Sequence, residues 1–130
     1  MMMKIDKESS INSMQKEFNS FYPFLKIEFF KKVPANLPLY KADLFSISES
    51  RKYLNGFYDG MATIDISRKR TVLEVEKDFE TLLGLSAHIF RKSGNVWVET
   101  TLTNDWPLEE QNEEGKQISS HFTDNKKIIK

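Results

Sequence analysis

The feature that most constrains the fold of this chain is a pattern of apolar residues that occurs twice, about sixty residues apart. The first copy is a helix-period stripe made of Ile11, Met14, Phe18, Phe21 and Tyr22. The second copy is made of Val72, Val75, Phe79, Leu82 and Leu83. Each member of the second stripe follows its counterpart by 61 residues. Because apolar residues at this spacing form one face of an amphipathic helix, the sequence predicts two equivalent helices.

A helix breaker and an alternating strand follow each stripe. Pro23 ends the first helix and Gly84 ends the second. With one residue deleted, the strand at residues 25–32 aligns with residues 85–92, and each ends in an aromatic residue followed by two basic residues. A recurrence of this length indicates duplication of one supersecondary unit.

The remaining local patterns extend each copy to a β-α-β-β-α unit. Ser9 or Ser10 is the expected N-cap of the first helix, and Thr71 with Glu74 forms a capping box before the second. Strands are predicted over residues 4–6, 24–33, 40–47 and 61–66, and a short helix over 48–54.

The clearest predicted hairpin covers residues 85–102, with Ser93-Gly94 as a two-residue turn. This turn pairs Phe90 with Trp97 and His88 with Glu99. A final helix is expected from Trp106 to Gly115, because Pro107 suits a first turn and Gly115 an end.

The predicted fold class is α+β, with duplicated β-α-β-β-α units that share one sheet. The two long helices should lie on one face, since a helix with a single apolar stripe must cover a sheet. We expect residues 1–115 to form a single domain made of two repeats, about 3–56 and 60–115. Residues 116–130 would be a polar C-terminal tail, either frayed or continuing as helix. From the first helix onward the element order, α-β-β-β-α-β-β-α, is similar to that of type III secretion chaperones.

The last half of the chain also resembles a group of small uncharacterised bacterial proteins with tandem helix–strand repeats. The resemblance is carried by residues 84–86, 90–95, 97, 99–101, 105–106 and 108–112. The first half joins it only through the repeat pattern. The resemblance implies a duplicated architecture and a bacterial, intracellular setting, with no assigned activity and no catalytic residue.

Composition excludes several classes of function. The 19 basic and 19 acidic side chains cancel, which argues against a dedicated nucleic-acid binder because such proteins depend on displaced counterions. The absence of cysteine excludes disulfides, thiolate metal sites and cysteine nucleophiles. No apolar run is long enough to span a bilayer, and residues 1–8 lack the apolar stretch of a signal peptide. We therefore expect a cytoplasmic protein with no membrane partner.

One set of residues combines aromatic rings with positive charge, and we predict it to be the partner-binding site. Its members are Phe30, Lys31, Lys32, Phe90, Arg91, Lys92 and Trp97. Such residues on an open sheet can stack bases and hold phosphates, as in single-strand binders. They can equally form a protein-binding surface, or be covered by the helix at 106–115 or by a second copy of the chain.

His88 and Glu99 are the only acid–base pair that the predicted hairpin brings together. No serine nucleophile motif or glycine-rich phosphate loop accompanies them, and the histidines have no metal-ligand spacing. We therefore predict no enzyme activity, no cofactor and no metal. The expected function is a non-catalytic intracellular protein-interaction module, with self-association through the aromatic sheet face or an edge strand as one form. The alternative is weak binding of single-stranded nucleic acid.

Overall fold

A computed structural model describes residues 1–6, 9–31, 40–41 and 62–129 of the chain. In these ranges the protein is a mixed α+β fold with three α-helices and six β-strands. The helices are α1 (Ile11–Phe21), α2 (Val72–Leu83) and α3 (Leu108–Ile129). The strands are β1 (Met2–Ile5), β2 (Leu25–Lys31), β3 (Tyr40–Lys41), β4 (Ala62–Asp65), β5 (Leu85–Ser93) and β6 (Val96–Glu99).

The strands form two antiparallel sheets, so the expectation of one shared sheet is wrong. One sheet has the order β3-β2-β5-β6, and the other is the pair β1-β4. β2 and β5 occupy the centre of the larger sheet and bond to neighbours on both sides, which leaves no central position for β1 or β4. These two strands pair with each other instead, and their residues Met3, Ile5 and Ile64 are buried in the same core.

The two helices that carry the apolar stripes, α1 and α2, begin where the sequence predicts. Ser10 caps α1, and its hydroxyl accepts a hydrogen bond from the Ser13 backbone N–H at 2.9 Å. Thr71 caps α2 in a capping box with Glu74, which satisfies backbone donors reciprocally. α2 ends at Gly84, whose φ of 66° is a left-handed conformation that glycine adopts at little cost.

The two helices contribute the predicted stripes to a single core. Phe18 and Phe79 are fully buried, and the Phe79 ring packs edge-on against Phe29 of β2, with centroids 5.3 Å apart. The inward residues of the larger sheet are Leu25, Ile27, Phe29, Ala87 and Ile89. One stripe prediction is wrong, because Phe21 is 41% exposed at the end of α1.

The two halves meet through paired strands whose central partners are counterparts in the sequence pattern. In the β1–β4 pair Met3 lies opposite Ile64, and in the β2–β5 pair Glu28 lies opposite His88. In the described residues each half has the order β-α-β-β. The helix predicted at 48–54, and the strand prediction beyond 40–41, lie outside the described residues.

The β5–β6 hairpin turns one residue later than the sequence predicts. Ser93 pairs with Val96, so the turn is Gly94-Asn95 and not Ser93-Gly94. Gly94 has φ 70°, and a glycine at the first turn position avoids the strain that Ser93 would have there. The predicted pairs Phe90–Trp97 and His88–Glu99 are therefore wrong.

α3 continues through Gly115 to Ile129, so the predicted helix end at Gly115 is wrong. A Cβ at this position would lie 3.0 Å from Phe24 Cβ and 3.1 Å from Arg91 Cγ. The glycine therefore serves the close approach of α3 to the sheet. Of the two alternatives for the tail, residues 116–129 adopt the helical one. None of the described helices is both long and apolar enough to cross a membrane.

Candidate functional site

The side of the larger sheet that points away from the core carries several aromatic rings, and we call it the aromatic face. Strand alternation places the β2 members and His88 and Phe90 there, because they alternate with buried core residues. Lys92 follows Phe90 by two positions in β5, and the β5–β6 register places Trp97 and Glu99 on the same side. It comprises Lys26, Glu28, Phe30, His88, Phe90, Lys92, Trp97 and Glu99. Most of these side chains are partly buried, and Glu99 is exposed.

Lys26 is the centre of a compact cluster on the aromatic face. Its ammonium lies 5.1 Å from the centroid of the Trp97 ring and 5.5 Å from that of Phe90. Glu28 Oε1 is 3.3 Å from the same nitrogen. A cation over aromatic faces is attracted by their quadrupoles, so Lys26 links side chains of three neighbouring strands.

The sequence prediction omits Lys26, although strand alternation assigns it to the outward side. The missing information is the register between β2 and β5. That register places Lys26 directly opposite Phe90, and it joins residues that are 64 positions apart in sequence. Local patterns do not encode a pairing over this separation.

His88 has a different acidic neighbour from the one predicted. It lies opposite Glu28 of β2, and its ring packs edge-on against Phe30 with centroids 5.3 Å apart. Glu99 lies opposite Phe90 instead. The expected acid–base pair is therefore not formed.

The structure brings together four of the seven predicted partner-binding residues: Phe30, Phe90, Lys92 and Trp97. Arg91 points to the other side of the sheet, where its Nη1 donates a hydrogen bond to Gln111 Oε1 at 3.0 Å. Lys31 ends β2, and Lys32 lies outside the described residues. The aromatic face therefore lacks the predicted Arg91.

α3 packs against the side of the larger sheet that carries Arg91, which is the side opposite the aromatic face. The guanidinium of Arg91 lies 5.8 Å from the Trp106 ring, just before α3, and Gln111 is fully buried. Phe24 donates its backbone N–H to Asn112 Oδ1 at 2.9 Å on the same side. The hypothesis that this helix covers Phe90 and Trp97 is therefore wrong.

A second polar feature, missed by sequence reasoning, is the carboxyl group of Glu76 on α2. Its Oε2 accepts a hydrogen bond from the Ile89 backbone N–H at 2.7 Å, at the edge of β5 beyond the end of β6. Burial raises the pKa of Glu76 to about 7, and the charge of Glu99 acts in the same direction, whereas the hydrogen bond from Ile89 opposes them. The sequence does contain one indication that Glu76 reaches the strand, because Glu76 is the counterpart of Gln15 in the repeat pattern.

An open cavity of about 450 Å³ lies where the end of α1 meets the start of α3. Its lining includes Phe21, Tyr22, Arg68 and Glu109, and Lys69 forms an ion pair with Glu109 at its rim. The Tyr22 hydroxyl donates to the Ile66 carbonyl oxygen at 2.6 Å, and burial raises its pKa to about 12. This hydroxyl therefore stays protonated and has a structural role.

Among the residues that the structure describes, no group of three or more His, Cys, Asp or Glu side chains is arranged to hold a metal ion. Neither a protein-family model, nor a curated protein, nor a solved structure matches this chain. The functional proposals therefore rest on the geometry and charges of the chain itself.

Proposed function

We propose that this chain is a non-catalytic protein-interaction module and that the aromatic face is its contact surface. The observation that carries the proposal is a sheet face with Phe30, Phe90 and Trp97 that α3 does not cover. Aromatic residues with adjacent charged groups are typical of the contact residues that dominate protein interfaces. A cytoplasmic setting agrees with a chain that has no cysteine.

The charges of the face favour a protein partner over nucleic acid. Lys26 and Lys92 are balanced by Glu28 and Glu99, and Arg91 is turned to the other side. Affinity for a phosphate backbone requires an excess of positive charge, and these four side chains together supply none.

Single-stranded nucleic acid is the second candidate. One observation favours it, namely that Trp97 lies beside the ammonium of Lys26 and opposite Lys92. A base could stack on the indole while the lysines meet phosphates.

We also propose that the two halves arose by duplication, as the sequence pattern predicts. Support comes from the two central strand pairs, in which Met3 meets Ile64 and Glu28 meets His88. Pairing of counterparts is what an approximate twofold axis between two copies of one unit would produce. The order from α1 onward in the described residues also agrees with the type III secretion chaperone resemblance.

A fluorescence titration separates the two candidate functions. In a Trp106→Phe background Trp97 is the only tryptophan, so quenching reports the aromatic face directly. We expect single-stranded DNA and RNA to cause no saturable quenching at low salt. Micromolar binding that weakens steeply with salt, and that disappears in Lys26→Ala together with Lys92→Ala, would replace the protein-interaction proposal with the nucleic-acid one.

A capture experiment from the native host tests the positive side of the proposal. The wild-type chain and Trp97→Ala serve as matched baits, with the exposed substitution Lys77→Ala as the control. We expect proteins that are retained by wild type and by the control, and lost with Trp97→Ala. Captured species that are the same for all three baits would contradict the assignment of this face.

A further inference from the structure

We propose that the occupant of the aromatic face is a second copy of this chain, docked face to face across a twofold axis. The axis would run along the line from Phe90 to Trp97. This inference rests on the proposed function, because it uses the same face for a protein contact. It goes further by naming the partner and the residues that select it.

The pairing between β5 and β6 supplies the geometry. Phe90 lies opposite Glu99, and Lys92 lies opposite Trp97. These four residues occupy the corners of a rectangle, with the two aromatic residues on one diagonal and the two charged residues on the other. Neighbouring strands are about 5 Å apart and next-but-one residues about 7 Å apart, so all four side chains are within reach of one another.

A twofold axis along the aromatic diagonal makes this rectangle complementary to itself. The axis lies in the plane of the interface and exchanges the positions on its two sides. Trp97 therefore meets Trp97 of the second copy, and Phe90 meets Phe90. Lys92 meets Glu99 of the second copy, and the same ion pair forms a second time by symmetry.

The charge of the surface selects a second copy over an acidic or a basic partner. The ammonium of Lys26 contacts Glu28 and the rings of Phe90 and Trp97 within one chain. These contacts hold the two rings in place on the aromatic face. None of the ion pairs found among the described residues involves Lys92 or Glu99, and Glu99 is exposed. Lys92 and Glu99 lie symmetrically about the line from Phe90 to Trp97 and so fit an isologous interface, whereas a strongly charged partner would leave one of them opposed by like charge. Glu28 lies on the extension of this line, where its carboxylate is buried and its charge is balanced by Lys26.

The size of the face predicts a weak dimer. The strands β2, β5 and β6 have seven, nine and four residues, and together they cover roughly 300 Å² at the usual strand spacing and rise. A standard interface buries about 800 Å² on each partner. We therefore expect a dissociation constant in the micromolar range or weaker, so the test must reach high protein concentration.

Charge reversal measured by sedimentation velocity tests the interface. The four proteins are wild type, Lys92→Glu, Glu99→Lys and the double variant that carries both reversals. Lys77→Glu is the matched control, because it makes the same charge change at an exposed position of α2. Circular dichroism of every variant establishes that it is folded before association is compared.

We expect wild type and the control to dimerise with the same dissociation constant, and each single reversal to weaken the dimer at least about tenfold. The double variant should recover to within about threefold of wild type, because the ion pairs form again with exchanged signs. In the Trp106→Phe background, acrylamide quenching of Trp97 should fall as protein concentration rises.

Two results would overturn the inference. One is a wild-type chain that stays monomeric up to about 1 mM, well above the dissociation constant expected for a face of this size. The other is a dimer whose strength the double variant fails to restore, because such a dimer uses another surface. Either result with no nucleic-acid binding leaves the proposed function in place with a different protein partner, whereas salt-sensitive binding of nucleic acid removes both.

Discussion

The two halves of the molecule place a polar residue at the same point of each long helix, and these two residues bond the following strand in opposite ways. In the first half Gln15 donates its amide N–H groups to the Ile27 carbonyl oxygen at 3.0 Å and to Glu28 Oε2 at 3.1 Å. In the second half the Glu76 carboxylate accepts from the Ile89 N–H at 2.7 Å. The position on the helix determines which residue reaches the strand. A backbone carbonyl at the strand edge requires a donor such as the Gln15 amide, and a backbone N–H requires an acceptor such as the Glu76 carboxylate.

This difference has an electrostatic consequence. The Gln15 amide has no charge to lose or gain, so Gln15 itself does not titrate. Glu76 has a pKa raised to about 7 by burial, so the second contact changes protonation near neutrality.

The largest expected effect comes from the aromatic residue at the centre of each stripe. Phe18→Ala and Phe79→Ala should each lower the free energy of unfolding by about 3–5 kcal/mol, because each ring is fully buried and its removal leaves a cavity. Urea denaturation measures both. Phe21→Ala is the control, since Phe21 is 41% exposed, and it should cost less than about 1 kcal/mol.

Unequal losses in the free energy of unfolding would contradict the equivalence of the two stripes. If only one of Phe18→Ala and Phe79→Ala exceeds about 2 kcal/mol, the two stripes do not have equivalent places in the core.

The second prediction concerns pH. Because the folded-state pKa of Glu76 is raised from 4.5 to about 7, its contribution to stability is fully present below pH 4.5 and is lost as pH rises through 7. Glu76→Gln keeps the size of the side chain and removes this titration. Allowing for partial solvent screening, the loss in wild type between pH 4.5 and 8 that the variant lacks should be about 1–3 kcal/mol.

Urea denaturation of both proteins at several pH values measures this difference. The matched variant in the first half is Gln15→Glu, which directs a carboxylate at the Ile27 carbonyl oxygen and at Glu28. It should be less stable than wild type at pH 8 and recover as pH falls and the new carboxyl is protonated. Parallel pH profiles for wild type and Glu76→Gln would show that Glu76 does not titrate in this range.

The smallest expected effect is at the helix starts. Ser10→Ala and Thr71→Ala each remove a side-chain acceptor for a backbone N–H and should cost about 1 kcal/mol each. Thermal or urea unfolding measures them against Ser20→Ala, an exposed serine in the last turn of α1. Thr71→Ala should cost more if the Glu74 carboxylate, which bonds both the Thr71 N–H and its hydroxyl, strengthens the second cap. Equal costs would show that Ser13 in the first cap is as effective as Glu74.

The sequence predicts only part of the candidate site, and the inclusion of Arg91 is an avoidable error of that prediction. The sequence pattern puts Phe90 and Arg91 in one predicted site because they are adjacent, although adjacent strand residues point to opposite faces. Strand alternation alone assigns Arg91 to the side of the sheet where it contacts Gln111, and it assigns Lys26 to the aromatic face. The contact of Lys26 with Phe90 and Trp97 required the β2–β5 register and was out of reach of local patterns.

The sequence by itself determined the features that depend on neighbours along the chain. Ser10, the Thr71–Glu74 box and Gly84 act within one helical turn, and the apolar period decides which side of each helix is buried, so these features follow from local spacing. The tertiary structure alone decided the features that join distant segments. The separate β1–β4 sheet, the passage of α3 through Gly115 and the packing of α3 on the side of the sheet opposite the aromatic face all depend on which surfaces meet. The free energy of those contacts has no signature at short range in the sequence.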